Sequence, residues 1–382
     1  MYNDNDITEM LKSVLDANEK LQHANIIITG KTGVGKSTLI NSIFRERLAE
    51  TGIGKPCTQH IRMISKENFP IRIYDTKGLE LSNNTQHEIK KEINQTISNC
   101  LQTKDEDQYI HAIWYCINTE SSRIEDEEID WIRDLTNNIN NLGVKVIIVL
   151  TQAINNKKRD ALKSTIDNLN LDIVQIVPLL AEDYDIDLDD GIKTKKSYGC
   201  DVLAEITFDI LPEAAQKAFS NAQSQSLKLK QKCAYKIVKC TTAAAVVEGA
   251  APVPFSDCTL LIPTQVGMIV AITSAFGISI DKSILSSLVT SILGSGGSTL
   301  IGKTIVSNVL KLIPGIGTIV GSGINSVTAG LLTSALGVTY IKIITKIASG
   351  EMKVQELMKI ENIKKMKDLF KDELNKQYLT FR

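Results

Sequence analysis

The clearest candidate for chemistry is the run GKTGVGKS at residues 30–37, which matches the pattern GxxxxGK[ST] in full. Glycines at this spacing let the backbone curl so that successive N–H groups point at phosphate oxygens, and the start of a following helix adds partial positive charge. The Lys36 ammonium would bridge the β- and γ-phosphates, and the Ser37 hydroxyl would bind Mg²⁺. The run therefore predicts a nucleoside triphosphate site formed by Gly30, Lys31, Thr32, Gly33, Val34, Gly35, Lys36, Ser37 and Thr38.

A second candidate is the run IRIYDTKG at residues 71–78, which reads as a strand that ends in DxxG. This spacing is typical of a GTPase switch, with the Asp75 carboxylate beside the Mg²⁺ water shell and the Gly78 amide at the γ-phosphate. Between the two runs, residues 54–58 are predicted to form a loop, from which Thr58 would reach Mg²⁺ only in the triphosphate state. We predict metal ligands at Ser37, Thr58 and Asp75, and catalytic contacts to the γ-phosphate from Lys36, Thr58 and Gly78.

The elements that must position these residues follow from a change of period along the chain. Longer segments of helical pattern, such as 125–142, alternate with short runs rich in β-branched residues at 26–29, 61–64, 71–74, 112–117, 144–150 and 173–177. That alternation predicts strands joined by crossover helices in a mostly parallel sheet flanked by helices, an α/β fold. The acidic run EDEEID, residues 125–130, is interpreted as the solvated start of a helix, where carboxylates favour the positive end of the helix dipole.

These segments resemble a known class of proteins. GKTGVGKSTLINSIF, the candidate Thr58, DTKGLE and HAIWYCINTESSRIEDEEIDWI resemble the septin-like and Era-like branch of translation-factor-related P-loop GTPases, which includes the immunity-associated GTPases. The later run EGAAPVPFSDCTLLIPTQVGMIVAITSAFGISI resembles the uncharacterised apolar helical domain that follows such GTPases in many bacterial proteins. Interferon-inducible GTPases are a looser match. The resemblance covers about residues 25–345 and implies GTP, GDP and Mg²⁺ as ligands and GTP hydrolysis as the activity.

The family's base-reading motif [NT]KxD is incomplete in this chain. The strand ending at Leu150 is followed by Thr151 and Gln152, and Ile154 stands where an aspartate would accept two hydrogen bonds from guanine. A missing carboxylate leaves the donors of the base unpaired and should weaken guanine discrimination. The resemblance still assigns nucleotide contacts to Thr151 and Gln152, and to Ala181 in the loop whose backbone meets the base oxygen.

A second departure concerns hydrolysis. Many GTPases orient the attacking water with a glutamine directly after DxxG, whereas this chain has Leu79, which cannot hydrogen-bond water. Charge stabilisation by Lys36, Mg²⁺ and the loop amides is retained, because phosphoryl transfer depends mostly on positioning and electrostatics. We therefore expect slow intrinsic turnover, with the missing group supplied by Glu80 or across a homodimer or oligomer of G domains.

The chain beyond residue 220 changes in composition. Uncharged runs occupy residues 258–280, 283–302 and 312–341, interrupted by Pro263 and Pro314. Such runs are long enough to cross a bilayer, yet their many small and polar residues make insertion marginal. Two structures are compatible with these runs: a soluble or peripheral helical bundle with buried Gly/Ser faces, and helical hairpins inserted in a membrane. The choice between them concerns mainly the stretches 287–302 and 321–335. An amphipathic helix is predicted at the end of the chain from Val354, Leu357, Met358, Ile363, Met366 and Phe370.

Composition and charge narrow the function further. A net charge of −1 from 43 basic and 44 acidic residues gives no global field for nucleic acid, which is not expected as a partner. Seven scattered cysteines without CxxC spacing and a polar, acidic start indicate a cytoplasmic protein, membrane-associated in one of the two structures above.

We predict an N-terminal helix at 1–23, a P-loop GTPase domain at 24–220, an all-α apolar domain at 221–350 and an amphipathic helix at 351–382. Three functions are open: a slow GTPase whose nucleotide state controls assembly or membrane engagement, a nucleotide-binding scaffold with little hydrolysis, and an integral membrane protein with a regulatory G domain.

Overall fold

A mixed sheet of seven strands organises the first part of the chain in the computed structural model. Along the chain the strands are β1 (Ala24–Gly30), β2 (Ile53–Pro56), β3 (Ile61–Lys66), β4 (Phe69–Thr76), β5 (Ala112–Asn118), β6 (Lys145–Thr151) and β7 (Gln175–Pro178). They stand in the order β2-β3-β4-β1-β5-β6-β7. The strands from β4 to β7 in that order pair in parallel, and β3 and β2 extend one edge in antiparallel pairing. The predicted mostly parallel α/β sheet is confirmed.

The structure describes residues 22–78, 83–121, 124–140, 142–188, 191–248, 257–281, 284, 288 and 326–381. The chain divides into two compact units: the first is Leu21–Ser226, and the second contains the helices from Leu227 onward. The predicted N-terminal helix lies outside the described residues except for its last two positions, and so does nearly all of the stretch 287–302.

Each of the six predicted β-rich runs overlaps a strand, but β2 is a strand that the sequence did not predict. Residues 54–56, which we expected in a loop, pair antiparallel with β3, so that part of the prediction is wrong. Gly54 and Pro56 are poor strand formers and all four residues of β2 are exposed, so neither propensity nor burial marks this edge in the sequence.

Helices cover both faces of the sheet. Within the described part of the first unit they are α1 (Lys36–Ile43), α2 (Leu48–Thr51), α3 (Asn83–Gln102), α4 (Asp126–Asn140), α5 (Asn156–Asp167), α6 (Cys200–Ile210) and α7 (Glu213–Ala222). Apolar residues of α3, α4 and α5 form one buried cluster with inward residues of the strands. The spacing of Ile89, Ile93 and Ile97 on α3 shows why: the three side chains share one helical face and all are fully buried.

The side chains of the interior strand β5 point alternately to the two faces of the sheet and are buried on both. Tyr115 belongs to the cluster beneath α3 and α4, where its ring packs 5.3 Å from that of Trp131. Its neighbour Trp114 stacks at 6.2 Å on Phe44 and donates from its indole nitrogen to the Thr207 hydroxyl on α6. Successive residues that are both fully buried are typical of a strand covered on two sides.

The second unit is helical where it is described. Its helices are α8 (Leu227–Glu248), α9 (Asp257–Phe276), α10 (Ser326–Ala348) and α11 (Ile360–Phe381), and one continuous hydrophobic cluster joins them. The C-terminal helix begins at Ile360 rather than at the predicted residue 351, and it buries Met366, Phe370 and Leu374 in that cluster. The predicted all-α region after the α/β domain is confirmed for the described residues.

Helix α10 is the one helix, among those described, that is long and apolar enough to cross a membrane. In this structure 78% of its most apolar stretch is buried against the rest of the protein. It also carries buried polar contacts, such as the 2.6 Å hydrogen bond between Tyr340 and Thr273 on α9. Core helices of globular bundles share these properties, so length and apolarity alone do not decide between the two structures expected above.

Helix α10 approaches α8 closely at two glycines, and this gives a matched stability prediction. A Cβ at Gly337 would lie 2.5 Å from a methyl of Val238 and 3.0 Å from the Met268 sulfur, all within the core. At distances below 3.0 Å we expect overpacking to cost about 2–3 kcal/mol, the upper part of its usual range, while the gain in helix propensity returns about 1 kcal/mol. Gly337→Ala should therefore destabilise the helical unit by about 1–2 kcal/mol. Hydrogen exchange of α10 peptides in the full chain measures this change.

Gly330 supplies the control for that prediction. A Cβ there would meet one methyl of Val246 at 2.7 Å, and because Val246 is 39% exposed, few neighbours oppose a small displacement of it. Gly330→Ala should therefore leave exchange protection within about 0.5 kcal/mol of the wild type or raise it. Equal losses in the two variants would show that the tight packing of α8 and α10 at Gly337 is not what limits the stability of the unit.

Candidate functional site

The loop predicted to hold the phosphates, residues 30–37 and called the phosphate loop below, connects β1 to α1. Its glycines allow its backbone conformation. Gly30 has φ +138°, and a Cβ there would lie 2.3 Å from the carbonyl oxygen of Cys116 on β5. Gly35 is in the left-handed region with φ 93° and directly precedes the first residue of α1. The loop therefore ends at a helix N-terminus, the arrangement in which backbone N–H groups and the helix dipole favour an anion.

The Lys36 ammonium lies over this loop. It donates to the carbonyl oxygens of Gly30 and Lys31 at 3.0 Å each. Ser37 follows in the first turn of α1 and is exposed, while Thr38 is half-buried. The predicted phosphate-binding residues thus lie together, and the Lys36 ammonium is held beside the loop by two of its carbonyl oxygens.

Asp75 reaches the same place from the end of β4. Its Oδ1 is buried and has no hydrogen-bond partner among the described residues, and its Oδ2 lies 3.5 Å from the guanidinium of Arg62 on β3. Burial raises the pKa of the Asp75 carboxyl, although Lys36 and Arg62 oppose that rise. A buried, orphaned carboxylate oxygen is what a divalent cation would satisfy, so the residues present fit Mg²⁺.

The DxxG glycine contacts the phosphate loop directly. A Cβ at Gly78 would lie 1.8 Å from the Thr32 hydroxyl oxygen and 2.6 Å from the Thr32 amide nitrogen. Only a glycine permits this approach without displacing one of the two loops. The structure therefore brings Gly78 against the loop that is predicted to hold the phosphates, whereas Leu79 and Glu80 lie outside the described residues.

Thr58 lies in the turn between β2 and β3, where its hydroxyl donates to the Glu92 carboxylate of α3. The His60 amide and ring Nδ1 contact the same carboxylate at 3.0 Å and 2.9 Å. Despite the desolvation that accompanies burial, these hydrogen bonds hold the pKa of Glu92 below its ordinary value. Sequence reasoning missed Glu92 because 34 residues separate it from Thr58 and no motif contains it.

The acidic run at the start of α4 is only partly solvated, which corrects our interpretation of it. Lys31 forms 3.0 Å ion pairs with Glu125 and Glu128, and the buried Glu128 also accepts a hydrogen bond from Tyr115. Desolvation opposes the charge on Lys31, but hydrogen bonds to the two carboxylates raise its pKa. The side chain of Lys31 therefore braces the loop against α4, and its predicted nucleotide contact would come from the backbone amide.

The loop predicted to border the base, called the base loop below, follows β6. Gln152 has φ 50°; its amide nitrogen donates to the carbonyl oxygen of Gly33, and its amide oxygen accepts from Asn118. The Thr151 hydroxyl donates to the carbonyl oxygen of Ile117, so this side chain supports the sheet instead of facing a ligand. Gln152 occupies the lysine position of the family motif and ties the base loop to the phosphate loop.

A hairpin that the sequence did not predict borders this loop. Its strands are β8 (Tyr184–Leu188) and β9 (Gly191–Lys195), and alternating aspartates hid it from a propensity argument. Lys195 donates from Nζ to the carbonyl oxygens of Ala153 and Ile154, and the Tyr198 hydroxyl donates to Ala153 at 2.8 Å. Ala181 is half-buried in the segment between β7 and this hairpin.

Base selectivity gives a testable consequence of Ile154, which is half-buried in this loop. We expect the wild-type protein to separate GTP from ITP, which lacks the 2-amino group, by less than about threefold. Ile154→Asp supplies an acceptor for that group, and a hydrogen bond to a charged group is worth about 1.5–3 kcal/mol, so the preference should rise to about tenfold or more. Competition binding measures the ratio, with Ile154→Asn as the uncharged control; an unchanged ratio in Ile154→Asp would place the base elsewhere.

Comparison with protein families gives two matches. The profile described as the AIG1 family matches residues 24–238, which contain every site residue discussed above. A second profile, described as a domain of unknown function (DUF697), matches residues 214–372, the region of the helices α8 to α11.

Curated relatives match over shorter parts of the chain, and solved structures match at low sequence identity. Translocase of chloroplast 108 of Physcomitrium patens is 44% identical over 64 residues, 16% of this chain and 6% of that protein. Magnetosome membrane protein 22 of Magnetospirillum gryphiswaldense is 29% identical over 113 residues, 28% of this chain and 56% of that protein. The chain thus spans less than two thirds of each of these relatives. The crystal structure of Toc33 from Arabidopsis thaliana with Mg²⁺ and GMPPNP matches with 17% identity and a TM-score of 0.33, covering 57% of this chain and 95% of that one.

Proposed function

The chain belongs to the AIG1 family of GTP-binding proteins with a GTPase fold, and on this basis we propose that it hydrolyses GTP slowly and uses its nucleotide state to control assembly or membrane engagement of the helices from Leu227 onward. One observation carries the nucleotide part of the proposal: the Lys36 ammonium and the orphaned Asp75 oxygen converge on the loop that ends at the N-terminus of α1. A cation and a metal-seeking carboxylate beside one cradle of amides fit a triphosphate with Mg²⁺.

Each predicted residue has a place in this proposal. The amides of residues 30–38 and the Lys36 ammonium would hold the phosphates. Ser37, Thr58 and Asp75 would hold Mg²⁺, which supplies neutralising charge to the β- and γ-phosphates when bound. The Gly78 amide would sense the γ-phosphate because its loop already packs on Thr32. Gln152 and Ala181 would border the base, and Thr151 would support them from the end of β6.

Slow turnover follows from the residue after DxxG. A leucine at position 79 cannot orient water, so acceleration needs a group from elsewhere, and a second G domain could supply it. The nucleotide-binding scaffold is the second candidate function, and the same residue together with Ile154 favours it. Single-turnover product analysis with GTP and Mg²⁺ separates the two, since a GTPase forms GDP at a rate that rises with protein concentration and a scaffold forms none.

Membrane engagement is the second part of the proposal. The name of magnetosome membrane protein 22 and the long apolar helix α10 support it, while the burial of α10 favours engagement through the surface of the bundle over permanent insertion. We expect full-length protein to float with liposomes to different extents when loaded with GDP and with GMPPNP. Equal flotation in both states would remove nucleotide control, and resistance to carbonate extraction would favour the integral membrane alternative.

A further inference from the structure

One carboxylate holds the turn that contains Thr58. Glu92 accepts from the Thr58 hydroxyl and from the His60 amide, and it contacts the His60 ring nitrogen at 2.9 Å. Its side chain is 18% exposed and that of His60 is 6% exposed, so the contacts are largely shielded from water. Hydrogen bonds to an ionised carboxylate are roughly twice as strong as those between neutral groups.

The groups that Thr58 would offer to a triphosphate are engaged within the same turn. Its amide donates to the Ile61 carbonyl oxygen at 3.2 Å, and its hydroxyl oxygen accepts from the Ile61 amide at 3.0 Å while its proton goes to Glu92. One lone pair of the Thr58 oxygen and its proton are thus held by the turn and by Glu92, and turning the hydroxyl toward Mg²⁺ would work against both contacts. Any free energy of the Glu92 contact that is lost in this movement reduces the net free energy of triphosphate binding.

Glu92 stands on an element that does not yield easily. Its neighbours Ile89 and Ile93 on α3 are fully buried. Lys90 pairs with Asp134 of α4 at 2.7 Å, and the indole of Trp131 donates to the Gln86 carbonyl oxygen at 3.1 Å. Because α3 is fixed on α4 and the sheet, the turn is the side that must move when Thr58 is released.

The turn is also joined to the DxxG segment. The Lys77 amide donates to the His60 carbonyl oxygen at 2.9 Å, one residue before Gly78, whose backbone packs on Thr32. Thr58, Gly78 and the phosphate loop therefore belong to one connected set of contacts. A group that restrains this turn restrains both segments that would meet a γ-phosphate.

We propose that Glu92 is a positioning residue that holds Thr58 away from the metal, and thereby lowers the affinity for the triphosphate relative to the diphosphate. The inference rests on the nucleotide binding proposed above and deepens it by naming a residue that sets the selectivity between the two nucleotides. A diphosphate does not need Thr58, so it binds without disturbing Glu92. A triphosphate gains the Thr58 contact only when the hydroxyl oxygen turns to the metal position, and the hydrogen bonds to Glu92 and from Ile61 that fix this oxygen in the turn oppose that movement.

The test compares Mg²⁺·GMPPNP and Mg²⁺·GDP affinities by calorimetry on the full chain. Glu92→Ala should tighten GMPPNP binding about tenfold, the value of one charge-assisted hydrogen bond offset by hydration, and change GDP binding by less than about twofold. Glu92→Gln keeps one acceptor oxygen and should give a smaller shift in the same direction. Glu88→Ala, an exposed glutamate one turn earlier on α3, is the matched control and should change neither affinity.

A double-mutant cycle with Thr58→Ala distinguishes positioning from a purely structural role. In the Thr58→Ala background, Glu92→Ala should no longer tighten GMPPNP binding. The inference is overturned if Glu92→Ala weakens both nucleotides equally, leaves their ratio unchanged, or acts equally with and without Thr58. Thermal unfolding identifies a variant that fails to fold, in which case Glu92→Gln carries the decision. If the wild type binds no nucleotide, the proposed function itself is wrong. If the wild type binds both nucleotides and Glu92→Ala leaves the ratio of GMPPNP to GDP affinity unchanged, only this inference is wrong.

Discussion

Lys36→Ala is expected to lower the affinity for Mg²⁺·GTP by about 100-fold or more while the first unit stays folded. The Lys36 ammonium donates to two backbone carbonyl oxygens of the phosphate loop, at 3.0 Å each, and would exchange these contacts for phosphate oxygens. Two charge-assisted hydrogen bonds at about 1.5 kcal/mol each give this factor. The side chain is half-buried and braces no core residue, so the fold should tolerate its removal.

Titration with a fluorescent GTP analogue measures this loss, and circular dichroism tests the fold. Lys145→Ala is the control, because Lys145 is exposed at the first residue of β6, at the end of the strand away from the base loop. It removes one positive charge from the same domain without touching the loop. Comparable losses in the two variants would mean that general electrostatic attraction, and not the Lys36 contact, accounts for nucleotide binding.

Asp75→Asn should have two effects of opposite sign. The ratio of GTP affinity with Mg²⁺ to GTP affinity without Mg²⁺ should be about 100-fold smaller in the variant than in the wild type, because a neutral amide is a poor ligand for this ion. The protein without nucleotide should become more stable by about 1 kcal/mol, since the substitution removes a half-buried charge whose buried Oδ1 has no hydrogen-bond partner among the described residues. Binding with Mg²⁺ or with EDTA, and denaturant unfolding without nucleotide, measure the two effects separately.

The stability gain of Asp75→Asn should depend on pH in a defined direction. Burial raises the pKa of Asp75, so the ionised carboxyl weakens the fold at neutral pH. Below pH of about 3.8 the unfolded chain binds the proton as well, and the difference between variant and wild type should disappear. A variant that is less stable than the wild type at neutral pH would show that Arg62 compensates the charge fully.

Motifs and strand order made the placement of the phosphate-loop residues and of Asp75 predictable. Lys36 and Gly35 belong to one loop whose glycine spacing has few structural solutions, and Asp75 ends a strand whose apolar run is unmistakable. Adjacent parallel strands then bring both to the same edge of the sheet, which the alternation of strands and helices already implied.

Contacts between distant residues were not predictable. The Glu92 carboxylate meets Thr58 across 34 residues, and Lys31 in the loop after β1 pairs with the Glu128 carboxylate of α4. Both acidic side chains occur on helices with ordinary amphipathic patterns, where a solvated carboxylate is the usual outcome. Packing of α3 and α4 on the sheet decides which carboxylate is turned inward, and a pattern read along one helix does not contain that information.

The amide of Gln152 joins the Gly33 carbonyl to the loop that would border a purine. A ligand that shifts either loop must therefore carry the other with it. The two ends of a nucleotide are not sensed as independent fragments: inorganic pyrophosphate should pre-order the pocket for a nucleoside, and the intact molecule should bind more tightly than the separate affinities of its parts imply.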